Sequence, residues 1–507
     1  MSIADLPSDG IRMAARLSGG VWGALVGDAM GVPYEFLAPS QITSVEWGHT
    51  GGWGVPPGTW SDDGSLLLAL LDSLLATGFD PEDQGRRALA WHRRGHYTPD
   101  GDGAFDIGGA TSQALDALER GTPALEAGPA GERASSNGSL MRILPVALWG
   151  RDLPDATLVA RAADASRVTH NHPRCQAACA VHVLAARAML HDAEPAPSLE
   201  AAFAAVRAAW SSDPARAPHL AALEELRTYP ERTGSGYVLD SFWSAWDAVT
   251  ASGSFGETIE RAIRYGHDTD TTAAIAGGIA GIRWGWGGIP ITWRRGMRGG
   301  PIVTPLVDGL IATIPADADG HGVRTSTASP LRLDLLDLSG IAGIEPGAGR
   351  AGITFLLGKK YTGHWTGDHW RDLPADAARL HDLGAEVLLL LVEDKELVTC
   401  QVTDIADELA TAGVELIRFP IHDPHTPTDH AGYRRTIRDL LARVRAGATV
   451  AIACRGGIDR AGMTAACLLV EAGLPPREAI DRVHRARKGS LTMWDQVAYV
   501  EGWPHAE

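Results

Sequence analysis

Two short runs of the sequence carry the residue types that metal chemistry needs. Trp60-Ser61-Asp62-Asp63-Gly64-Ser65 and Gly266-His267-Asp268-Thr269-Asp270-Thr271-Thr272 each precede a segment of helical periodicity. Singly, each reads as an Asp-rich helix start, where carboxylates gain from exposed N–H groups and the helix dipole. Together, Asp62, Asp63, Asp268 and Asp270 with the hydroxyls of Ser61 and Thr271 make an all-oxygen ligand set. Such a set suits a hard cation: magnesium, manganese or calcium. Four carboxylates brought close repel one another unless a cation lies between them. The segment after Asp270, TTAAIAGGIAGI, is nearly all small residues, which lets helices approach closely and could bring the two runs together.

A second constellation lies further along the chain. Ala448–Ala453 reads as a strand and runs into Cys454-Arg455-Gly456-Gly457-Ile458-Asp459-Arg460, after which a helix is expected. In such a loop the N–H groups and the helix N-terminus converge on one point and favour an anion. The same field favours the thiolate and makes Cys454 a nucleophile, while Arg460 can hold phosphate oxygens in a bidentate manner. The intervening Arg455, Gly456, Gly457, Ile458 and Asp459 would line the anion site. Upstream, Asp423 in Phe419-Pro420-Ile421-His422-Asp423 is a candidate to protonate a leaving oxygen, or else a capping residue in a Pro-bounded turn. Gln496 could position a water, or be a helix-surface glutamine.

The elements that must hold these residues differ between the two halves. Up to about residue 310, Ala- and Leu-rich periodic segments recur: Ser65–Ala76, Ser112–Arg120, Pro154–Ser166, Arg174–Leu190, Leu199–Trp210 and Thr272–Trp284. Gly-, Asp- and His-rich stretches separate them, and few runs alternate with period two, so an all-α domain over 1–314 is expected. The small, polar segment PADADGHGVRTST places a linker at 315–328. Beyond it, strand-like Ala351–Leu357, Glu386–Val392, Val414–Pro420 and Ala448–Ala453 alternate with helical Ala375–Asp382, Thr403–Ala412, His430–Ala446, Met463–Ala472 and Pro476–Arg487. This order predicts an α/β domain over 329–507 with a largely parallel central sheet.

Composition sets the outer limits. The 507 residues are 45% hydrophobic and 21% charged, as in soluble globular proteins, and exceed one ordinary core. A formal charge of −17 argues against extended nucleic-acid binding. No run of 18 or more apolar residues suggests a membrane span, and the start MSIADLPSDGIRM lacks the features of a signal peptide. Five scattered cysteines, Cys175, Cys179, Cys400, Cys454 and Cys467, fit reduced thiols and a cytoplasmic setting.

Over roughly Arg12 to Leu310 the sequence resembles the ADP-ribosylglycohydrolases, including the dinitrogenase reductase-activating enzymes. GALVGDAMGVPYEF (Gly23–Phe36), WSDDGS, FDIGGATSQAL (Phe105–Leu115), SSNGSLMRILPVAL (Ser135–Leu148), VTHNHP (Val168–Pro173), SGYVLDSFWSAW (Ser235–Trp246) and GHDTDTTAAIAGGIAG (Gly266–Gly281) follow that family's order. The resemblance implies that Ser61, Asp62, Asp63, Asp268, Asp270 and Thr271 hold two Mg²⁺ ions, with Mn²⁺ an alternative. It implies that Glu35 is a gating or acid/base carboxylate. It places Asn137, Gly138 and Met141 along an ADP-ribose groove, His170 and Tyr237 nearby, and Asp106 beside the ribose. Gly108–Gly109 and Asn137–Gly138 could supply backbone N–H groups to the diphosphate. Ser61 and Gly64 stand where threonines are common, and Ser136 where a glycine is common in the groove loop.

From Ser329 to Tyr499 the chain resembles the dual-specificity protein phosphatases of the cyclin-dependent-kinase-inhibitor type. LRLDLLDL, ITFLLGKKYTGHW, VLLLLVEDKEL, FPIHD and CRGGIDRAG keep that order. Three positions depart from it. Ala453 stands where histidine usually precedes the cysteine, Ala461 where a hydroxyl usually follows the arginine, and Asp459 where glycine is common.

The two resemblances imply a bifunctional hydrolase that cleaves ADP-ribose from a modified protein or small-molecule conjugate and hydrolyses a phosphate monoester. The alternative is a glycohydrolase whose C-terminal domain only binds phosphate, and a pure ADP-ribose or phosphate sensor stands in another class. An end-directed hydrolase of ADP-ribosylated nucleic acid is a third.

Overall fold

The structure is a computed structural model and describes residues 8–101, 103–316, 320, 322–344, 349–363 and 367–503. The chain divides into two compact units, Met1–Pro315 and Ala316–Glu507. Of the expected linker at 315–328, residues 317–319 and 321 lie outside the described residues. No described helix is long and apolar enough to cross a membrane.

The first unit is helical. Apart from one isolated bridge between Ser136 and Tyr237, its described residues form no strand pairing. Six helices position the chemistry: α1 (Asp9–Gly31), α2 (Asp62–Thr77), α3 (Gly109–Glu119), α4 (Pro173–Leu190), α5 (Val238–Thr250) and α6 (Thr269–Trp284). The acidic runs do not precede their helices, as the periodicity suggested; they form the first turns. Ser61 is the N-cap of α2, its Oγ accepting from the Asp63 N–H, and Asp268 is the N-cap residue of α6. The helices therefore start three residues before their apolar patterns do, because capping fixes the end and not hydrophobicity.

Helices α1 and α6 run antiparallel at very short range. A Cβ on Gly19 would come within 2.2 Å of the Gly281 carbonyl oxygen, one on Gly23 within 2.3 Å of that of Gly277, and one on Gly27 within 2.0 Å of that of Ala273. One on Gly31 would meet the Asp270 Cα at 2.4 Å. The four-residue glycine spacing lays a Cβ-free stripe on α1, and the small residues of α6 take it up. This contact carries the C-terminal end of α1, with Asp28, to the first turn of α6, with Asp270.

The second unit is built on a five-stranded sheet of order β1-β2-β7-β5-β6. Its strands are β1 (Asp334–Leu335), β2 (Arg350–Phe355), β5 (Val387–Leu390), β6 (Glu415–Arg418) and β7 (Thr449–Cys454). Pairings β2–β7, β7–β5 and β5–β6 are parallel, and β1 is antiparallel to β2. A separate hairpin joins β3 (Lys360–Gly363) to β4 (Gly367–Trp370). The four expected strands are these parallel ones, with β5 and β6 shorter than expected, β2 starting one residue earlier and ending two earlier, and β7 shifted one residue on to take in Cys454; the two-residue β1 and the hairpin carry no apolar alternation to announce them. Central β7 is buried along its length, with separate cores on the two sheet faces: Ile452 belongs to one, Ala451 and Ala453 to the other.

Candidate active sites

Asp28 organises the acidic site. Fully buried in α1, its carboxylate accepts from the Ser61 N–H at 2.9 and 3.0 Å and from the Gly64 N–H at 2.8 Å. It thereby binds two of the free N–H groups at the start of α2. Ser61 Oγ donates to Asp63 Oδ2 at 3.1 Å, and Thr271 Oγ1 donates to the same oxygen at 3.3 Å, joining α2 to α6. Asn137 Nδ2 donates to Asp268 Oδ2 at 2.8 Å and to Ser241 Oγ at 2.9 Å, tying the 135–141 loop and α5 to the same centre.

Carboxylate oxygens of Asp28, Asp63 and Asp270 lie within 4.8 Å of one another, as do those of Glu35, Asp106 and Asp270. Asp63 Oδ1 and Asp270 Oδ2 are buried with no hydrogen-bond partner. Burial first, then mutual repulsion, holds Asp62, Asp63 and Asp270 well above the usual carboxylate range. Burial pushes Asp28 up to about 7 and Asp106 to about 6. Glu35 rises to about 8, by burial and then by the charge of Asp106. Oxygen-only donors, two of them orphaned, in a site too acidic to ionise fully, fit divalent cations.

The rim is aromatic. Trp53 Nε1 donates to Glu35 Oε2 at 2.6 Å, and the Trp53 ring lies 6.1 Å from that of Phe36 and 5.5 Å from that of Phe105. Phe36 is 72% exposed. Gly108 is the N-cap residue of α3, which begins at Gly109. Ser136, the departure in the groove loop, is held through Oγ to His170 Nε2 at 2.9 Å. His170 is 1% exposed, its Nδ1 sits 3.0 Å from Thr169 Oγ1, and burial drops its pKa to about 3. It is a neutral support for the loop. A Cβ at Gly138 would strike the His170 ring at 2.7 Å. Met141 is buried behind the loop. The Tyr237 ring lies beside Tyr229, and burial first raises its hydroxyl pKa, with Arg174 opposing.

In the second unit, Cys454 ends β7 and is 3% exposed. The loop runs into helix α8 (Asp459–Glu471), preceded by α7 (Asp394–Thr399) and followed by α9 (Trp494–Glu501). Gly457 has φ +65°, and a Cβ there would meet the Thr354 carbonyl at 2.4 Å, so the sharp turn excludes a side chain. Arg460 is 1% exposed. Its Nη1 and Nη2 donate to Glu396 of α7 at 2.7 and 2.8 Å, and Nη1 also to the Ile421 carbonyl at 2.9 Å. Glu396 thus takes the end-on fork of the guanidinium. Nε, which is without a hydrogen bond, and the second Nη2 hydrogen remain as a side-on fork for an anion. Burial opposes ionisation of Glu396, but the Arg460 hydrogen bonds prevail and its pKa is lowered.

Asp423 stands at the mouth, 3.3 Å from Arg460 Nε and 3.0 Å from Arg455 Nη2. Asp459 turns away from the anion site, its Oδ1 accepting from the Thr492 N–H at 2.8 Å and hydroxyl at 3.0 Å. Gln496 is fully buried rather than on a helix surface. Its Nε2 donates to the Pro424 and His425 carbonyls, fixing the Asp423 loop, and its Oε1 is buried without a partner.

Sequence reasoning missed Asp28, Trp53 and Glu396. Asp28 had a usable signal, a lone acid inside the otherwise apolar and glycine-rich GALVGDAMG. Trp53 and Glu396 had none, since their partners lie 18 and 64 residues away.

A family model described as ADP-ribosylglycohydrolase matches residues 9–319, and one described as Swiss Army Knife protein, DSP-PTPase phosphatase domain, matches residues 370–497. An ADP-ribosylarginine hydrolase of Pseudomonas putida (strain GB-1) is 29% identical over 301 residues, covering 59% of this chain and 79% of its own length. An ADP-ribosyl-[dinitrogen reductase] glycohydrolase of Rhodospirillum rubrum is 28% identical over 311 residues, 60% of this chain and 97% of its own. Among solved structures, an ADP-ribosylglycohydrolase-related protein complex is 31% identical with TM-score 0.48, covering 59% of this chain and 98% of that one. A kinase-associated phosphatase with its catalytic cysteine replaced by serine is 23% identical with TM-score 0.32, covering 35% and 96%.

Proposed function

The chain belongs to the ADP-ribosylglycohydrolase family, matched over residues 9–319, and from that premise we propose that its first unit is a divalent-cation-dependent hydrolase of an ADP-ribosylated side chain. The observation that carries this reading is the buried carboxylate cluster with the orphaned Asp63 Oδ1 and Asp270 Oδ2. Ser61, Asp62, Asp63, Asp268, Asp270 and Thr271 would hold two Mg²⁺ ions, which supply Lewis acidity toward the ribose hydroxyls and an attacking water. Cleavage at the anomeric carbon passes through an oxocarbenium-like state. Glu35, drawn up to about 8, is poised to move a proton near neutrality. Asn137, held on Asp268, and the N–H groups of Gly108 and Gly109 bind and orient the nucleotide. The relatives act on arginine-linked ADP-ribose or on modified dinitrogen reductase by name, so an arginine linkage is the first acceptor to test.

For the second unit we infer phosphate-monoester hydrolysis. Cys454 Sγ attacks phosphorus while the P–O bond to the leaving group breaks, and Asp423 protonates the departing oxygen. Water then attacks phosphorus and gives a proton back to Asp423 as the S–P bond breaks, so that inorganic phosphate leaves and the thiolate returns. The side-on edge of Arg460, where Nε makes no hydrogen bond and lies 3.3 Å from Asp423, supports the reading.

Release of free ADP-ribose is measured from arginine-, serine- and nucleic-acid-linked substrates, with Mg²⁺ or with EDTA. Cation-dependent release that is lost in Asp62→Ala and Asp270→Ala is expected. Binding of ADP-ribose with no release from any substrate would sink the glycohydrolase reading and leave a sensor. For the second unit, p-nitrophenyl phosphate hydrolysis abolished by Cys454→Ser is expected; its absence in the parent protein would leave a phosphate-binding module.

A further inference from the structure

Lysine is rare in this chain, with only Lys359, Lys360, Lys395 and Lys488 among 45 basic residues. Lys359 is 3% exposed. It follows β2, whose last residue, Phe355, is the register partner of Cys454. Its Nζ donates to the Arg455 carbonyl at 3.0 Å and lies 4.8 Å from the centre of the Phe355 ring. The ammonium is therefore set against the first peptide of the cysteine loop.

Each arginine around it has a carboxylate partner. Arg460 pairs with Glu396, Arg455 with Asp423, Arg371 with Asp376 and Arg487 with Asp334. Among the described residues no carboxylate pairs with Lys359, whose recorded partners are a carbonyl and a ring. A buried ammonium without an anion is strongly unfavourable, and burial draws its pKa down to about 8. Two thiols interact with it electrostatically, Cys400 and Cys454. Burial pushes Cys400 up to about 11, so it stays neutral. Cys454, the residue before Arg455 and the register partner of Phe355, is the nucleophile beside which this ammonium is set, at a site where Ala453 and Ala461 offer neither an imidazole nor a hydroxyl.

We propose that Lys359 is a positioning residue whose buried charge holds Cys454 as the thiolate, replacing the polar groups absent at 453 and 461. A compact ammonium delivers a point charge here, where a guanidinium would spread its charge over a planar fork. The inference rests on reading Cys454 as a nucleophile but does not need phosphate turnover.

The test follows iodoacetamide alkylation of Cys454 in the full-length protein across pH, quantified on its peptide by mass spectrometry. The other four cysteines, all buried, report an intact fold by staying unreactive. Lys359→Met and Lys359→Gln are both expected to move the rise in rate about one pH unit upward, making alkylation roughly tenfold slower on the acid side. A wild-type profile in both variants overturns the proposal. So does a wild-type profile in Lys359→Gln alone, since that variant keeps a donor for the Arg455 carbonyl without the charge. Hydrolysis of p-nitrophenyl phosphate is followed in parallel. A Lys359-dependent profile without hydrolysis removes only the phosphatase reading, and hydrolysis with a Lys359-independent profile removes only this inference.

Discussion

Asp28 binds the Ser61 and Gly64 N–H groups, so Asp28→Ala leaves two donors buried and unpaired. At about 1–3 kcal/mol for each orphaned donor, a loss of about 2–6 kcal/mol in denaturant unfolding of the first unit is expected, together with weakened cation binding. Calorimetric Mg²⁺ titration separates this from a purely structural loss: Asp28→Asn, which keeps one acceptor, should recover stability more than cation affinity. The same site predicts a pH dependence. Glu35, Asp28 and Asp106 have folded-state values raised to about 8, 7 and 6, against about 4 for unfolded carboxylates. The folded state thus holds more protons between about pH 4 and pH 8, and stability falls as pH rises through that window. In EDTA the melting temperature of the first unit should drop across it. Mg²⁺ should restore it, most strongly at the alkaline end; a cation effect independent of pH would contradict the assignment.

At the scale of elements, the glycine stripe of α1 decides whether Asp28 reaches Asp270. A valine at 27 would push its Cβ into the Ala273 carbonyl, only 2.0 Å from the ideal position. Backbone has no rotamer by which to yield, so Gly27→Val should cost about 3 kcal/mol or more and abolish ADP-ribose release. Gly109→Ala is the matched control: it lies at the start of α3 with nothing within 4 Å of an added Cβ, and should leave the melting temperature within a degree or two. In the second unit, short α7 exists to present Glu396 to Arg460, which turns the side-on edge of the guanidinium toward the cysteine loop.

For the whole molecule, the separation into Met1–Pro315 and Ala316–Glu507 gives each candidate site to one unit alone. Among the described residues, those named in the acidic cluster all precede Pro315, and those named in the cysteine loop and its partners all follow Ala316. Expressed as separate fragments, the first is expected to keep cation-dependent ADP-ribose release and the second to keep Cys454-dependent alkylation. EDTA should lower the melting transition of the first fragment only. Loss of either property on separation would mean that one unit depends on the other.

Much of this was legible in the residues themselves. Four carboxylates of the acidic site, Asp62, Asp63, Asp268 and Asp270, come in two short runs, and Cys454 to Arg460 is a local loop between a buried strand and a helix, so adjacency in sequence kept the chemistry readable. The parallel strands were readable for the same reason: β5 and β7 are short apolar runs between helical patterns. Tertiary structure alone decided the rest. It made His170, expected near the groove, a neutral buried support for Ser136, and it set the Asp459 carboxylate on Thr492. It also enlisted Asp28, Trp53, Glu396 and Lys359. Each of these acts through a partner remote in sequence, and that pairing depends on how closely two backbones approach. Periodicity tells which face of a helix is buried; only the packed glycines of α1 against α6, and the register of β2 against β7, tell which atoms it then meets.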